Sequence, residues 1–388
     1  MANVLVLGCG MVGSVMALDL AADSSLKVTA ADASSSSVAA VQARAQAMNL
    51  PLAISTVDAS DPADVRRLAA EADLVCCALP SRFAFGTVAT LIEAGKHVCD
   101  ISFVAEDLLE LDELAKSKGV TAVVDCGVAP GMSHILAAYG AAQLDTCESV
   151  SMYVGGLPVE RRWPFSYKAA FSPADVIEEY TRPSRVVEHD RVVVKAALSE
   201  PELMDFPGVG TLEAFNTDGL RSMARTYLGK IPHMKEKTLR YPGHIEQMRV
   251  LREMGLFGTE PVDVKGTRIV PRDLIAKLMF PMWTYQPGEA DLTVMRVEAA
   301  GQRGGRPLTI QFDVLDKLDI TTGFTSMART TAFPCAIMAR EVLSGNYARR
   351  GVIVPEYIGQ DAGLVTRLLE QQARRGVVYR RTEPMSRH

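Results

Sequence analysis

Several features typical of nucleic-acid-binding, membrane and metal proteins are absent from this sequence of 388 residues. Acidic residues outnumber basic ones and the formal net charge is −5, so no basic excess is available for a phosphate backbone or an anionic lipid surface. No apolar stretch approaches the length of a membrane span, and residues 1–3 lead directly into a short apolar run, which leaves no room for a signal peptide. There is no CxxC pair, and the six histidines lack metal-ligand spacing. We therefore expect neither a nucleic acid nor a membrane as partner, and no metal.

The cysteines do not form the even, regularly spaced set of a disulfide framework. They number seven, and most lie in apolar contexts. Such cysteines are typical of reduced core residues, and they predict a cytoplasmic protein. The cysteines are Cys9, Cys76, Cys77, Cys99, Cys126, Cys147 and Cys335.

What is present is a dinucleotide-binding fingerprint at the start of the chain. The apolar run 4–7 predicts a buried strand, and Gly8, Gly10 and Gly13 follow it as GxGxxG before a helical pattern. The first glycine permits the turn into the helix, the second lets a pyrophosphate approach the backbone, and the third allows close packing of helix and strand. These glycines, together with Met11 and Val12 between them, are predicted to bind a dinucleotide at the helix N-terminus.

The end of the second predicted strand indicates which dinucleotide is used. Asp32 ends the apolar stretch 26–31 and lies 19 residues after Gly13, where a carboxylate accepts hydrogen bonds from both ribose hydroxyls of NAD. No arginine follows it, so a 2′-phosphate would meet a carboxylate and no cation. The sequence therefore favours NAD over NADP, although Ser34 or Ser35 could still hydrogen-bond such a phosphate.

The alternation of apolar strands with helical segments continues to about residue 127. Further strands are expected at 52–57, 74–78, 97–100 and 122–125. This pattern predicts an α/β fold with a doubly wound parallel Rossmann sheet, which binds ligands outside the carboxyl ends of its strands. Asp58 ends one strand and could bond the adenine amino group. Cofactor contacts at these strand ends are predicted for Asp58, Leu79, Pro80, Ser81 and Asp100.

The pattern changes after about residue 145, and the chain is longer than one hydrophobic core usually supports. Alternating segments, a long hairpin across 292–319 with a polar turn at 302–306, and helices at 245–254 and 272–282 predict an α+β domain with a mostly antiparallel sheet. A helix over 325–343 is expected to return to the first domain, and the polar tail 374–388 to fray. The predicted domains are a dinucleotide-binding domain at 1–127, a substrate-binding and dimerisation domain at 128–324, and C-terminal helices at 325–388.

Five motifs carry a resemblance that covers nearly the whole chain. Together they resemble the saccharopine dehydrogenase family of the glutamate-forming type, and within it they are most similar to members of the lysine 6-dehydrogenase type. The resemblance implies NAD-dependent oxidative deamination at the ε-carbon of lysine, giving an aldehyde that cyclises, plus ammonia. It also implies a homodimer or larger homo-oligomer that associates through the second domain. The motifs are GVAPGMSH at 127–134, GGLP at 155–158, SYKAAFSP at 166–173, LEAFNTDGLRSM at 212–223 and LRYPGH at 239–244.

Two departures from the saccharopine pattern bear on the substrate. The resemblance implies an acidic residue where this chain has Ala129, and an arginine where it has Thr217. Saccharopine carries a glutaryl arm with two carboxylates, and a bidentate arginine is the natural partner of one of them. Its replacement by Thr217 favours a smaller substrate, because a buried carboxylate without a partner is costly.

Deamination requires a group that removes a proton from the ε-ammonium, whose ordinary pKa is near 10.4. Each candidate also has a structural alternative: a carboxylate after a strand can cap a helix, His244 opens a helix that it could cap, and Lys168 could extend to solvent. Asp218 is favoured for the catalytic role because Gly219 would let the chain turn close to a ligand. The candidate catalytic residues are Asp125, Lys168, Asp218 and His244.

Substrate binding is predicted for a second set of residues. Arg240 lies between apolar neighbours in a predicted strand and is favoured for the α-carboxylate, with Arg221 as the second choice. Two other classes stay open: a saccharopine or carboxynorspermidine dehydrogenase of the same architecture, and a catalytically silent nucleotide-binding protein. The predicted substrate-binding residues are Ser102, Tyr167, Thr217, Arg221 and Arg240.

Overall fold

The computed structural model describes residues 1–169, 173–286 and 288–383. The chain forms two compact units, one built from residues 1–142 and 328–378 and the other from 143–327 and 379–388. Residues 128–142, which were predicted as the start of the second domain, lie in the first unit, and so do residues 328–378. Elements are numbered below along the whole chain.

The first unit alternates strands with helices in its N-terminal part and returns to this pattern near the C-terminus. A short 3₁₀ helix at Leu108–Leu111 precedes α5. The elements of this unit are β1 (Ala2–Leu7), α1 (Met11–Ala21), β2 (Leu26–Asp32), α2 (Ser35–Ala47), β3 (Leu52–Thr56), α3 (Pro62–Ala69), β4 (Leu74–Cys77), α4 (Ser81–Glu93), β5 (His97–Asp100), α5 (Asp112–Ser117), β6 (Thr121–Val123), α6 (Met132–Ala141), α11 (Ser326–Leu343, which starts just before the unit boundary), β17 (Gly351–Ile353), α12 (Pro355–Gly359) and α13 (Ala362–Arg374).

The sheet of the first unit has seven strands in the order β17-β6-β5-β4-β1-β2-β3, all parallel. All four residues of β4 are buried, as expected for a strand covered on both faces, and this burial explains its uninterrupted apolar sequence. The prediction of a doubly wound parallel sheet is confirmed. The strand order reverses beside β1, which brings the β1–α1 turn to the switch point where such sheets bind ligands.

The second unit contains most of the antiparallel structure. Its elements are β7 (Thr146–Pro158), α7 (Pro173–Thr181), β8 (Ser184–Glu188), β9 (Arg191–Lys195), β10 (Glu202–Phe206), β11 (Gly210–Asn216), α8 (Met223–Thr226), β12 (His233–Arg240), α9 (His244–Glu253), β13 (Val262–Val264), β14 (Thr267–Ile269), α10 (Pro271–Trp283), β15 (Asp291–Arg303), β16 (Arg306–Lys317) and β18 (Arg380–Thr382).

Among the residues that the structure describes, the main sheet of this unit has nine strands, and only its β12–β7 pairing is parallel. The predicted mostly antiparallel sheet is therefore confirmed. The hairpin of β15 and β16 is paired from Leu292 with Lys317 to Arg303 with Arg306, around a turn at residues 304–305. A cluster of aromatic and aliphatic side chains from α7, α9, α10 and β11 forms one core of this unit, with Trp283 fully buried in it.

Two parts of the second unit differ from the sequence-based expectation. A strand was predicted only at residues 238–241, but β12 begins at His233, because its charged residues find partners inside the fold. The tail was expected to fray, yet Arg380–Thr382 forms β18 and pairs with β16. No helix in the described part of the chain is both long and apolar enough to cross a membrane.

The seven cysteines are all free thiols, and only Cys147 is not fully buried. Burial raises the pKa of several of these thiols, including that of Cys77, and so favours the protonated, unreactive form. The six buried cysteines therefore serve as small apolar residues of the core.

Candidate active site

The turn between β1 and α1 has room only for glycine at two of its three glycine positions. Gly8 has a φ of +98°, and a Cβ there would lie 2.3 Å from the carbonyl oxygen of Ala78. A Cβ at Gly13 would lie 1.9 Å from the carbonyl oxygen of Gly8. A Cβ at Gly10, in contrast, would project into open space at the start of α1. The turn thus offers an open cradle beside the first amide groups of a helix, and this geometry fits a dinucleotide pyrophosphate.

The carboxylate of Asp32 holds this turn from the end of β2. Its Oδ2 accepts a hydrogen bond of 2.7 Å from the Cys9 amide, and its Oδ1 accepts one of 2.7 Å from the Ser34 amide. The Ser34 hydroxyl caps α2 by accepting from the amide of Ser37. Each carboxylate oxygen keeps a further lone pair for a ribose hydroxyl.

The other strand ends of the first unit hold polar residues in fixed positions. The Leu79 amide donates to the Ser102 hydroxyl (3.1 Å), which donates to the buried Asp100 carboxylate (2.7 Å). Ser102 and Asp100 therefore fix the loop after β4, in which Pro80 is the N-cap of α4 and Ser81 its first residue.

Two further carboxylates of the first unit were predicted to take part in binding or catalysis. Asp58 is exposed, and hydrogen bonds from the hydroxyl and amide of Ser60 lower its pKa. Asp125 is buried and adopts a left-handed φ of 50° shortly after β6. Met11, by contrast, is exposed at the start of α1. All of these residues lie in the first unit, as does Val12 in α1, and the remaining predicted site residues lie in the second.

Arg240, at the end of β12, is buried in the second unit and bonded to its own protein. Its Nη2 donates to Glu179 Oε2 (2.7 Å), its Nε donates to the Tyr180 hydroxyl (3.1 Å), and its Nη1 donates to the Leu239 carbonyl (3.0 Å). The guanidinium also lies over the ring of Tyr167, with its carbon 4.4 Å from the ring centroid. The cation predicted to bind the α-carboxylate of the substrate thus already has a carboxylate partner in Glu179.

His244 continues the same network. Its Nε2 accepts from the Tyr180 hydroxyl (2.9 Å), and its Nδ1 donates to the Phe165 carbonyl (2.9 Å), a tautomer that we assign from the hydrogen bonds. Burial and the charge of Arg240 lower the pKa of His244 to about 3, so the ring is neutral. The side chain does not cap α9, because both ring nitrogens have other partners.

Lys168 and Asp218 are each held in an ion pair. Lys168 is buried, and its Nζ donates to Glu289 and to the Thr284 carbonyl, so it does not extend to solvent. Asp218 accepts two hydrogen bonds from the Arg185 side chain, at 2.8 and 2.9 Å, and one from the Arg185 amide. Residues 170–172 of the SYKAAFSP motif lie outside the described residues.

Arg221 was the second choice for binding the α-carboxylate, because a helix position after a strand is commonly at the surface. The structure shows a different environment. Arg221 lies in a turn before α8, is buried, and adopts a left-handed φ of 50°. Tyr167 is likewise buried, and burial raises its pKa although the charge of Arg240 opposes this change. The structure thus brings Tyr167, Arg240 and His244 into one cluster around Tyr180.

The sequence analysis missed Glu236, in the middle of β12. The Thr217 hydroxyl donates to Glu236 Oε2 and is 2.9 Å from the hydroxyl of Thr238. The Glu236 residue is 4% exposed, and burial is the main cause that raises its pKa to about 8. The only sequence signal was an acid flanked by two lysines, a pattern that also fits a solvent-exposed strand.

Comparison with known proteins places these observations in a family. The family model described as "Saccharopine dehydrogenase NADP binding domain" matches residues 4–123, and "Saccharopine dehydrogenase C-terminal domain" matches residues 127–377. A saccharopine dehydrogenase [NADP(+), L-glutamate-forming] of Pyricularia oryzae is 24% identical, over 91% of this chain and 93% of that protein. The corresponding protein of Schizosaccharomyces pombe is 22% identical, over 83% of this chain and 86% of that protein.

A solved structure has the same fold. The apo saccharopine dehydrogenase (L-Glu forming) from Saccharomyces cerevisiae superimposes with a TM-score of 0.81 at 19% identity, covering 99% of this chain and 100% of that one. In the present protein, the first unit is therefore a nicotinamide-cofactor-binding domain. The chain belongs to the saccharopine dehydrogenase family of oxidoreductases.

Proposed function

We propose that this protein is a lysine 6-dehydrogenase, which oxidises the carbon that bears the ε-amino group of L-lysine and releases ammonia from the resulting imine. The observation that carries the proposal is the position of Thr217. Thr217 is buried, and its hydroxyl forms hydrogen bonds with Glu236 and Thr238. The arginine that the saccharopine pattern implies at this position is replaced by a short side chain that contacts an acid.

The charges around Thr217 favour an ammonium over an additional carboxylate. The nearby cations Arg185 and Arg240 are paired with Asp218 and Glu179, respectively. A glutaryl arm would bring a further carboxylate, which would need a cation already engaged by the protein. An amine substrate would instead bring a positive charge to Glu236.

The cofactor in this proposal is NAD. The open space at Gly10 would take the pyrophosphate, and Asp32 would take the adenosine ribose. NAD held by these residues would supply the hydride acceptor for oxidation of the substrate carbon. The close relatives are named as NADP(+) enzymes, but a 2′-phosphate beside Asp32 would meet a carboxylate already bonded to two amides.

A substrate screen tests the proposal. NADH formation is followed with lysine, ornithine, cadaverine and saccharopine, each with NAD and with NADP. We expect turnover with lysine and NAD, with ammonia released in equal amount. Turnover with saccharopine and none with lysine would show that the proposed substrate is wrong.

A glutamate-forming saccharopine dehydrogenase is the second candidate. The observation that favours it is the full-length similarity to proteins of that name, over 91% of this chain for the Pyricularia protein. Its distinguishing reaction is reductive: an aldehyde, glutamate and reduced cofactor would give saccharopine, and lysine alone would give no signal.

Cofactor choice is tested at Asp32. Asp32→Ala removes the ribose acceptor and the repulsion of a 2′-phosphate, so we expect weaker NAD binding and a smaller ratio of NAD to NADP activity, by about tenfold for one lost charge-assisted hydrogen bond. Asp58→Ala is the matched control at the next strand end, and it should change both cofactors equally. A wild-type protein that uses NADP better than NAD would contradict this assignment of Asp32.

A further inference from the structure

Glu236 is a carboxyl group that the fold encloses without a cationic partner of its own. Its Oε2 accepts from Thr217, and Oε1 has no hydrogen bond in the part of the chain that the structure describes. Gly219 packs closely against the same oxygen, since a Cβ on Gly219 would lie 2.1 Å from Oε2. Thr217 thus holds Oε2 in place, whereas none of the described residues engages Oε1.

The charged groups around Glu236 come from three different elements. Glu179 on α7 and Asp218 after β11 raise its pKa, and Arg240 on β12 lowers it. Glu179 is bonded to Arg240, and Asp218 is bonded to Arg185. Each of these two acids is therefore neutralised by an arginine, whereas Glu236 is not.

The other titratable groups of this cluster are already engaged by protein partners. Asp218 accepts three hydrogen bonds from Arg185, and Glu179 accepts one from Arg240, although burial raises the pKa of Glu179. His244 is neutral, but its Nε2 accepts from Tyr180 and its Nδ1 already carries a proton. Glu236, in contrast, has an oxygen that no described residue engages, and burial raises its pKa to about 8, close to neutral pH, where a general base is most effective.

We propose that Oε1 of Glu236 binds the ammonium of the amine substrate and accepts its proton before oxidation. In this step an N–H bond of the ammonium breaks and an O–H bond to Oε1 forms. The nitrogen keeps the electron pair, and Glu236 becomes a neutral acid. The inference rests on the proposed function for the identity of the amine, and it applies to any amine that must be deprotonated in this unit. Thr217 is a positioning residue, because it acts by holding Oε2.

The test compares the pH dependence of kcat and kcat/KM in four proteins. In the wild type, the rate should rise with pH through about 8, because Glu236 is protonated and inactive as a base below that value. Glu236→Gln should lower kcat by about 10²–10⁴-fold and abolish this rise. Thr217→Val removes a hydrogen bond that lowers the pKa of Glu236, so the rise should move to higher pH.

The matched control is Glu298→Gln on β15. Burial raises the pKa of Glu298 as well, but its charged neighbours are Arg296, Asp313, Lys235 and Glu202, and it takes no part in the cluster around Thr217. We expect wild-type kinetics. Circular dichroism and chemical denaturation establish that each variant is folded. Should Glu236→Gln not fold, Thr217→Val alone carries the test through the direction of its pH shift.

A second readout does not depend on turnover. In protein with ¹³C-labelled glutamate carboxyls, the Glu236 signal is the one missing from Glu236→Gln, and lysine should shift it in the wild type. If saccharopine is oxidised and lysine is not, the proposed function fails and the same variants are assayed with saccharopine, which also must lose an amine proton. An unchanged pH profile in Glu236→Gln, or a carboxyl signal that neither amine shifts, would overturn the assignment of Glu236.

Discussion

The candidate sites of the two units are built in different ways, one mainly from backbone and the other from side chains. In the first unit, the candidate cofactor site consists of backbone at Gly8, Gly10 and Gly13, with one carboxylate, Asp32, bonded to two amides. In the second unit, the polar cluster consists of side chains from separate strands and helices, such as Glu179, Glu236 and Arg240. The first site depends on local spacing, and the second depends on pairing between distant residues.

This difference has an energetic consequence. A glycine turn fails through steric overlap, which is short-ranged and depends on single atoms. A buried charge network fails through the loss of a partner, because the remaining charge stays in a medium that solvates it poorly. Substitutions in the two units should therefore differ in both size and additivity.

The largest effect is expected at Arg240. Arg240→Met leaves the half-buried Glu179 without its cation and removes the guanidinium from a buried network, so the free energy of unfolding should fall by about 3 kcal/mol. Adding Glu179→Gln should recover part of this loss, and chemical denaturation measures both. Arg249→Met on the surface of α9 is the control, with a change expected within about 0.5 kcal/mol. Wild-type stability with weaker binding of lysine but not of cadaverine would instead assign Arg240 to the α-carboxylate.

A smaller effect is expected in the glycine turn, and there stability and binding should separate. In Gly13→Ala, the added Cβ would overlap with the carbonyl oxygen of Gly8, so the free energy of unfolding should fall by about 1–3 kcal/mol. Gly10→Ala has space for its Cβ, so stability should be retained while NADH binding, followed by fluorescence, weakens by about tenfold or more. Gly86→Ala in α4, also in open space, should preserve both. Tight NADH binding by Gly10→Ala would mean that the pyrophosphate lies elsewhere.

The smallest effect is expected at the ion pair of Asp218 and Arg185. The Arg185 side chain is 43% exposed, so solvent screens the pair, and a double-mutant cycle of Asp218→Asn with Arg185→Met should give a coupling of about 1 kcal/mol or less. The two single variants should have similar kinetics if Asp218 serves mainly to hold β8. A strong loss of kcat in Asp218→Asn alone would support the catalytic role predicted for Asp218 from the sequence.

The sequence determined the first unit in detail because its rules are local. The spacing of Gly8, Gly13 and Asp32, together with apolar strands buried on both faces, was sufficient to predict the parallel sheet and the glycine turn between β1 and α1. Four of the five motifs that carry the family resemblance lie in the second unit, yet the resemblance did not reveal the partners of the residues in those motifs.

Only the tertiary structure decided which charges of the second unit are paired. Arg240 and Asp218 looked available in the sequence, and the fold gives them Glu179 and Arg185, which lie 61 and 33 residues away. Glu236 lay outside the predicted strand and the predicted site, and the fold buries it against Thr217, 19 residues away. Pairing energies of this kind depend on distance and burial in three dimensions, and neither quantity is encoded in the spacing of residues along one strand.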